Sequence, residues 1–318
     1  MKRPIPCDPK LLELDLSGRV MVVTGGNSGI GRVTVEQLAR QGAHVVLACR
    51  RVAEGERVRG EIVAKGLRGE VEVMELDLAS LGSVRSFVAR FTARHARLDA
   101  LVNNAGVMNT PKGKTVDGFE TQFGTNHLGH YLLTELLVPL LTTTPGARVV
   151  NLSSCYHDVA QGREGHIDFD DLNFERRPYD GWAAYAQSKL ANVLHAQSLA
   201  RRLGPQGVTA VSVHPGWVRT ALVKSFMPVW VQDYVARPFL RMQGMIEPWE
   251  GTQVTLHAVL SPDVPAHNGA FFSQLGLYRD PAANKGGLPL RSPNPEAHDP
   301  ANERRLDEVS RRLVGLEA

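Results

Sequence analysis

Six short apolar runs alternate with longer amphipathic stretches between residues 19 and 213. The runs cover residues 20–24, 44–49, 71–76, 100–103, 148–153 and 208–213, and they are rich in Val and Leu. They lack a strict period of two, as expected of strands that are covered on both faces. The stretches between them, such as 30–41, 53–65 and 81–95, carry apolar residues at helical spacing, and Gly42 and Gly66 stand just past two of their ends. Strand–helix alternation calls for right-handed crossovers. The expected fold is therefore an α/β, doubly wound Rossmann domain with a mostly parallel sheet. A last short run at 270–272 makes that sheet seven-stranded. Neither an internal repeat nor a break in composition divides the chain, so residues 1–318 read as one domain.

Three segments flank this pattern. The lead, 1–18, is interrupted by Lys2, Arg3, Asp8, Lys10, Glu13 and Asp15, and so lacks the apolar stretch of a signal peptide. Residues 222–247 hold Phe226, Met227, Trp230, Tyr234, Phe239, Met242 and Met245 among scattered charges. This is read as a substrate lid over an apolar pocket, with core packing and an interfacial membrane contact as the alternatives. The extension 280–318 begins with a Pro-, Gly- and Asn-rich stretch to 300, expected to be an exposed loop, and ends in a surface helix over 301–316.

No apolar run reaches 18 residues, so no membrane-spanning helix is expected. The formal charge of +3 (36 Lys+Arg against 33 Asp+Glu) is too small to serve as a footprint for nucleic acid. Cys7, Cys49 and Cys155 are odd in number and share no metal-like spacing. They point to a reducing compartment, and the expected location is cytoplasmic.

The first strand runs into Gly25, Gly26, Asn27, Ser28, Gly29, Ile30 and Gly31 and then a helix. Glycines at that junction permit a tight turn and let backbone N–H groups approach a pyrophosphate at a helix N-terminus. The second strand ends at Cys49, Arg50 and Arg51, with no carboxylate before Glu54. An acidic residue there would hold a ribose 2′-hydroxyl, whereas Arg50 suits a 2′-phosphate, so NADP(H) is expected over NAD(H). Tyr185 and Lys189 are four apart at the head of a helical pattern running to 203, which places them on one face. An ammonium beside a phenol favours the phenolate, so the Tyr185 pKa is expected to be lowered. Ser154 follows the fifth strand, 103–106 ends the fourth and 214–220 ends the sixth. Four strand ends thus bring polar or glycine-rich sequence to one crevice, where open sheets bind ligands.

Together, Thr24 to Gly31, Asp77, Asn103-Asn-Ala-Gly106, Asn126, Ser154, Tyr185-x-x-x-Lys189 and Pro215-Gly216-x-x-x-Thr220 resemble the short-chain dehydrogenases/reductases through residues 18–275. More narrowly, Leu47-Ala-Cys-Arg50, Asp117-Gly-Phe-Glu-x-Gln-Phe-Gly124, Asn126-His-Leu-Gly-His130, His166-Ile-Asp-Phe-Asp-Asp-Leu172, Ser188-Lys-Leu-Ala-Asn192 and Arg312-Leu-Val-Gly-Leu-Glu317 are similar to the retinol dehydrogenase branch. Protochlorophyllide reductases and WW-domain oxidoreductases are neighbouring branches. The resemblance implies a catalytic tetrad of Asn126, Ser154, Tyr185 and Lys189. Tyr185 would act as general acid in carbonyl reduction, beside Ser154 on the substrate oxygen. Asn126 would support a water that leads protons to Lys189. It also implies cofactor contacts from Gly25, Asn27, Ser28, Gly29, Ile30, Gly31, Arg50, Asp77, Leu78, Asn104, Ala105, Gly106, Tyr185, Lys189, Pro215, Gly216, Val218 and Thr220. A homodimer or homotetramer built on the two long helices follows from the same resemblance.

The function expected is interconversion of an apolar alcohol with its aldehyde or ketone, on a retinoid, steroid or lipid carbonyl. The alternative is a dinucleotide-binding sensor with little catalysis, against which the complete tetrad argues. His127 and His130 flank Asn126 without a third ligand and read as packed or capping residues, so no metal site is expected. His214 reads as structural and Cys155 as an inert small side chain.

Overall fold

The computed structural model describes residues 3–219 and 244–316. Its main sheet contains eight strands: β1 (Val20–Thr24), β2 (His44–Cys49), β3 (Glu70–Glu75), β4 (Ala100–Asn103), β5 (Arg148–Leu152), β6 (Thr209–His214), β7 (Phe271–Ser273) and β8 (Gly287–Leu290). Their spatial order is β8-β7-β6-β5-β4-β1-β2-β3. Every pairing is parallel except β7 with β8, which is antiparallel. The order reverses between β1 and β4, the switch point at which such sheets open a ligand crevice.

The eighth strand corrects the expectation of seven, and falls within the stretch expected to be an exposed loop. Gly287 and Pro289 disguise it, but β8 lies at the sheet edge, where a proline without an N–H forfeits no central ladder bond. Inside the sheet, neighbouring residues face opposite layers, and both layers are apolar. Val22 and Val46 pack with α3 (Leu81–Thr92), α4 (Gly129–Thr143) and α5 (Gly181–Leu203). Val23, Val45 and Leu47 pack with α1 (Gly29–Arg40), α2 (Val52–Val63) and α6 (Pro248–Leu260). Burial on both faces explains why the strands read as continuous apolar runs rather than alternating ones.

The lead is part of this fold. Cys7, Leu11 and Leu16 are buried in the second layer, and the Gln41 side chain donates to the Leu11 carbonyl at 2.8 Å. Helix α7 (Pro300–Leu313) begins at the Asp299 cap and buries Leu306 in the first layer. It packs along α5, so α5 lies between the sheet and α7 and is buried at nearly every position from Ala184 to Ala196. Most of the proposed lid, 222–243, lies outside the described residues.

Candidate active site

The carboxyl ends of the parallel strands surround one cavity of about 830 Å³. One side of it is built by the turn between β1 and α1. Gly25 has φ +65°, a left-handed conformation that glycine adopts without strain. A Cβ on Gly31 would fall 2.4 Å from the Gly25 carbonyl oxygen, so only hydrogen fits there. Ser28 caps α1 without a side-chain hydrogen bond, unlike Ser80 of α3, Asp180 of α5 and Asp299 of α7. The first N–H groups of α1 are thus left to a ligand, which is what a pyrophosphate requires.

Gly25, Asn27, Ser28, Gly29, Ile30, Gly31, Arg50, Asp77, Leu78, Asn104, Ala105 and Gly106 all line this side. Arg51 pairs with Glu54 at 2.5 Å, whereas Arg50 is exposed and has no acidic partner among the described residues. Pro215, Gly216 and Val218 line the wall after β6, and Thr220 lies outside the described residues.

Ser154, Tyr185 and Lys189 line the other half of the cavity. Asp180 accepts from the N–H groups of Trp182 and Ala183, which fixes the start of α5 and the phase of Tyr185 and Lys189 along it. Burial raises the Tyr185 phenol above its ordinary value, opposed by a hydrogen bond with Ser154. This overturns the expected lowering by Lys189. Lys189 Nζ lies 5.5 Å from the centre of the Tyr185 ring and donates to the Leu152 carbonyl at 3.1 Å. Desolvation of a phenolate outweighs an ammonium at that separation. Burial also pulls Lys189 down from 10.5 to about 8. The hydroxyl of Ser153, the neighbour of Ser154, is engaged elsewhere and donates to the Lys189 carbonyl at 2.8 Å.

Asn126 sits in a π-helical turn, Gly124–Leu128, just ahead of α4. Its side-chain Nδ2 donates to the Val107 carbonyl at 2.9 Å and to Ser188 Oγ at 3.0 Å, and its Oδ1 accepts from Val107 N–H at 2.8 Å. The side chain is consumed in clamping the loop after β4 to α5. A Cβ on Gly106 would lie 3.0 Å from Asn126 Oδ1 and 3.5 Å from Lys189 Nζ, so that glycine keeps the two residues close.

The main-chain carbonyl of Asn126 is held by His130 Nδ1 at 3.0 Å, which therefore carries the proton. His130 Nε2 is then the acceptor of the Thr24 hydroxyl at 2.8 Å, and Thr24 Oγ1 accepts from Asn104 and Ala105 N–H at 2.9 Å each. Burial pushes His130 down to about 4, so it stays neutral. It joins the nucleotide turn to the Asn126 turn, a role that its place in an apolar helix did not disclose.

Further residues complete the wall: Met108, Tyr156, Gln161, Trp182, Trp217 and 275–277. Tyr156 stands edge-on to both Trp182 and Tyr185, with ring centres 5.4 and 6.1 Å away, and Gln161 Nε2 donates to its hydroxyl at 2.8 Å. Trp182 precedes Tyr185 by three on one helix, and that spacing was the available signal. His214 and Cys155 also border the cavity; burial holds His214 down at about 3 and Cys155 up at about 11, leaving both uncharged.

The family described as short chain dehydrogenase matches residues 19–166 and 173–228. The chain belongs to that family. This short-chain dehydrogenase is 41% identical over 305 residues to human retinol dehydrogenase 13, covering 95% of the chain and 86% of that relative. It is 44% identical over 261 residues to retinol dehydrogenase 12 of Bos taurus, covering 82% and 79%. It lies in the retinol dehydrogenase-like branch and is an oxidoreductase acting on CH–OH groups. Among solved structures, a putative uncharacterized protein from Mycobacterium Paratuberculosis superposes with a TM-score of 0.72 at 35% identity, covering 95% of each chain. A putative NAD(P)-dependent gluconate 5-dehydrogenase from Beutenbergia cavernae, with bound NADP, gives 0.63 at 25% identity, covering 82% of this chain and 96% of that one.

Proposed function

We propose that this short-chain dehydrogenase interconverts an apolar alcohol and its aldehyde or ketone, a retinoid or similar lipid carbonyl, with NADP(H). The observation that carries the reading is the meeting of Ser154, Tyr185 and Lys189 with an uncapped glycine-rich helix start in one cavity. The names of the relatives favour retinol among such substrates. The apolar wall of Met108, Tyr156, Trp182 and Leu277 suits a long hydrocarbon.

The residues present fit a dinucleotide. The turn 25–31 and the first N–H groups of α1 would hold the pyrophosphate, Asp77 and Leu78 would flank the adenine, and Arg50 would meet a 2′-phosphate. Residues 104–106, Pro215, Gly216 and Val218 would border the nicotinamide end, with Tyr185 and Lys189 at its ribose. The cofactor, when bound, supplies or accepts the hydride.

The chain's own part is proton handling. In reduction, Ser154 donates a hydrogen bond to the substrate oxygen and Tyr185 transfers its phenolic proton to it. At neutral pH the buried phenol is protonated and has a proton to give. Lys189, held near 8, exchanges protons close to working pH and steadies the phenolate that Tyr185 becomes. In oxidation the same groups act in reverse.

A cytoplasmic location fits the three free, buried cysteines. Among the described residues, no helix is long and apolar enough to cross a membrane. A homodimer or homotetramer belongs to the same proposal and is checked by light scattering.

The decisive experiment supplies a panel of retinoid, steroid and short-chain carbonyls with NADPH and NADH side by side. Turnover of apolar carbonyls with NADPH is expected. Tyr185→Phe should lower kcat by about 10²–10⁴ while leaving NADPH binding intact. Undiminished turnover in that variant would overturn the assignment.

A further inference from the structure

At the end of the sheet remote from the cavity, the start of β2, the near half of β3 and the residue three past α3 bring two imidazoles to one carboxylate. His44 Nε2 lies 3.2 Å from Glu72 Oε2, and His95 Nε2 lies 3.0 Å from the same oxygen. The second nitrogen of His44, Nδ1, lies 3.0 Å from Glu70 Oε2. Glu72 Oε2 is thus approached by two imidazole nitrogens from separate elements at once.

The spacing suits a metal. Zinc with bonds of about 2.0–2.2 Å in a tetrahedral shell keeps its ligand atoms about 3.3 Å apart. The two separations from Glu72 Oε2 are close to that, and all three ligand atoms lie within 4.8 Å of one another. The surroundings also hold the ligands in place. Glu70 Oε2, exposed beside His44 Nδ1, adds negative charge next to the three ligand atoms. Arg94 takes the other oxygen of Glu72 at 2.5 Å, leaving Oε2 for the histidines. The Phe91 ring lies 4.7 Å from that of His95. With side-chain exposures of 29%, 18% and 10% for His44, Glu72 and His95, a fourth position is open to water.

We infer that His44, Glu72 and His95 form a binding site for a zinc-class divalent cation, clamping edge strand β3 to β2 and the end of α3. The expectation of no metal rested on helix-bound histidines near Asn126. These three ligands come from separate elements, and no local spacing announces them. Two nitrogens and one carboxylate favour zinc over magnesium, which prefers an all-oxygen shell.

The test is calorimetric titration of zinc chloride into the full-length, untagged protein after chelator treatment, with thermal unfolding in parallel. One equivalent should bind, and at zinc a hundredfold above its Kd the midpoint should rise by about 4 °C. Magnesium chloride should do neither. His95→Ala and Glu72→Gln should lose both effects while keeping full turnover. Since His95 packs on Phe91, the more exposed His44→Gln serves as a second variant. Absence of saturable zinc binding to the parent, or equal binding to a folded His44→Gln or Glu72→Gln variant, would overturn the site.

Discussion

The two halves of the cavity are made from different materials. The half proposed for the nucleotide, after β1, β2 and β4, is mostly backbone: a left-handed Gly25, a Gly31 with no room for Cβ, and a helix start without a side-chain cap. The half proposed for the substrate, after β5 and β7 and along α5, is mostly side chain: Ser154, Tyr156, Trp182, Tyr185 and Leu277. A backbone cradle tolerates only glycine at its closest approaches, so it leaves a local sequence signature. A side-chain wall drawn from distant segments does not. The contrast predicts that damage to the first half is all-or-none and shared by every substrate, whereas damage to the second is graded and substrate-dependent.

The largest effect expected on that contrast is Gly31→Ala. The added methyl would sit 2.4 Å from the Gly25 carbonyl, so NADPH affinity should fall about 100-fold or more for every substrate alike, as read by cofactor fluorescence titration. Arg50→Ala should raise KM for NADPH about 10- to 100-fold, the worth of one or two hydrogen bonds to a charged group, and leave NADH unchanged. An equal effect on both cofactors would assign Arg50 to folding instead.

Lys189→Met reports on stability. Burial lowers the folded-state lysine to about 8 against an ordinary 10.5. Between those values the unfolded chain binds the extra proton, so wild-type stability rises with pH through that window. Denaturant melts should therefore find Lys189→Met more stable than wild type at pH 7, with the advantage shrinking from pH 8 to 10.5. The smallest effect is Trp182→Ala, which should raise KM about fivefold for long apolar carbonyls and little for short ones.

The same contrast explains what could be read in advance. The first six strands of the sheet and the turn 25–31 were legible because burial on both faces and close backbone approach restrict residue type. The eighth strand was hidden because an edge position tolerates the proline that usually excludes a strand. The hairpin of Val159–Ala160 and Arg163–Glu164, which presents Gln161 to the cavity, is too short for a periodic signal. The pairing of Tyr185 with Lys189 was legible from their spacing, but the direction of the phenol shift was not. It depends on desolvation, which only the folded surroundings determine. His130 was passed over because a histidine in an apolar helix looks the same whether it fills space or joins two loops.

Helix α7 is fastened to the π-helical turn, α4 and α5 by polar links: Ser310 to His127, Asp307 to Tyr131, Arg311 to Glu135 and Glu303 to Arg201. Glu135 and His127 are almost fully buried, and α7 supplies partners to both. On a translating ribosome, α5 emerges about 110 residues before the end of α7. At ordinary elongation speeds, roughly 5–20 s pass in which the helix bearing Tyr185 has a bare, partly charged flank. The nascent enzyme must therefore wait for α7 before that flank is sealed.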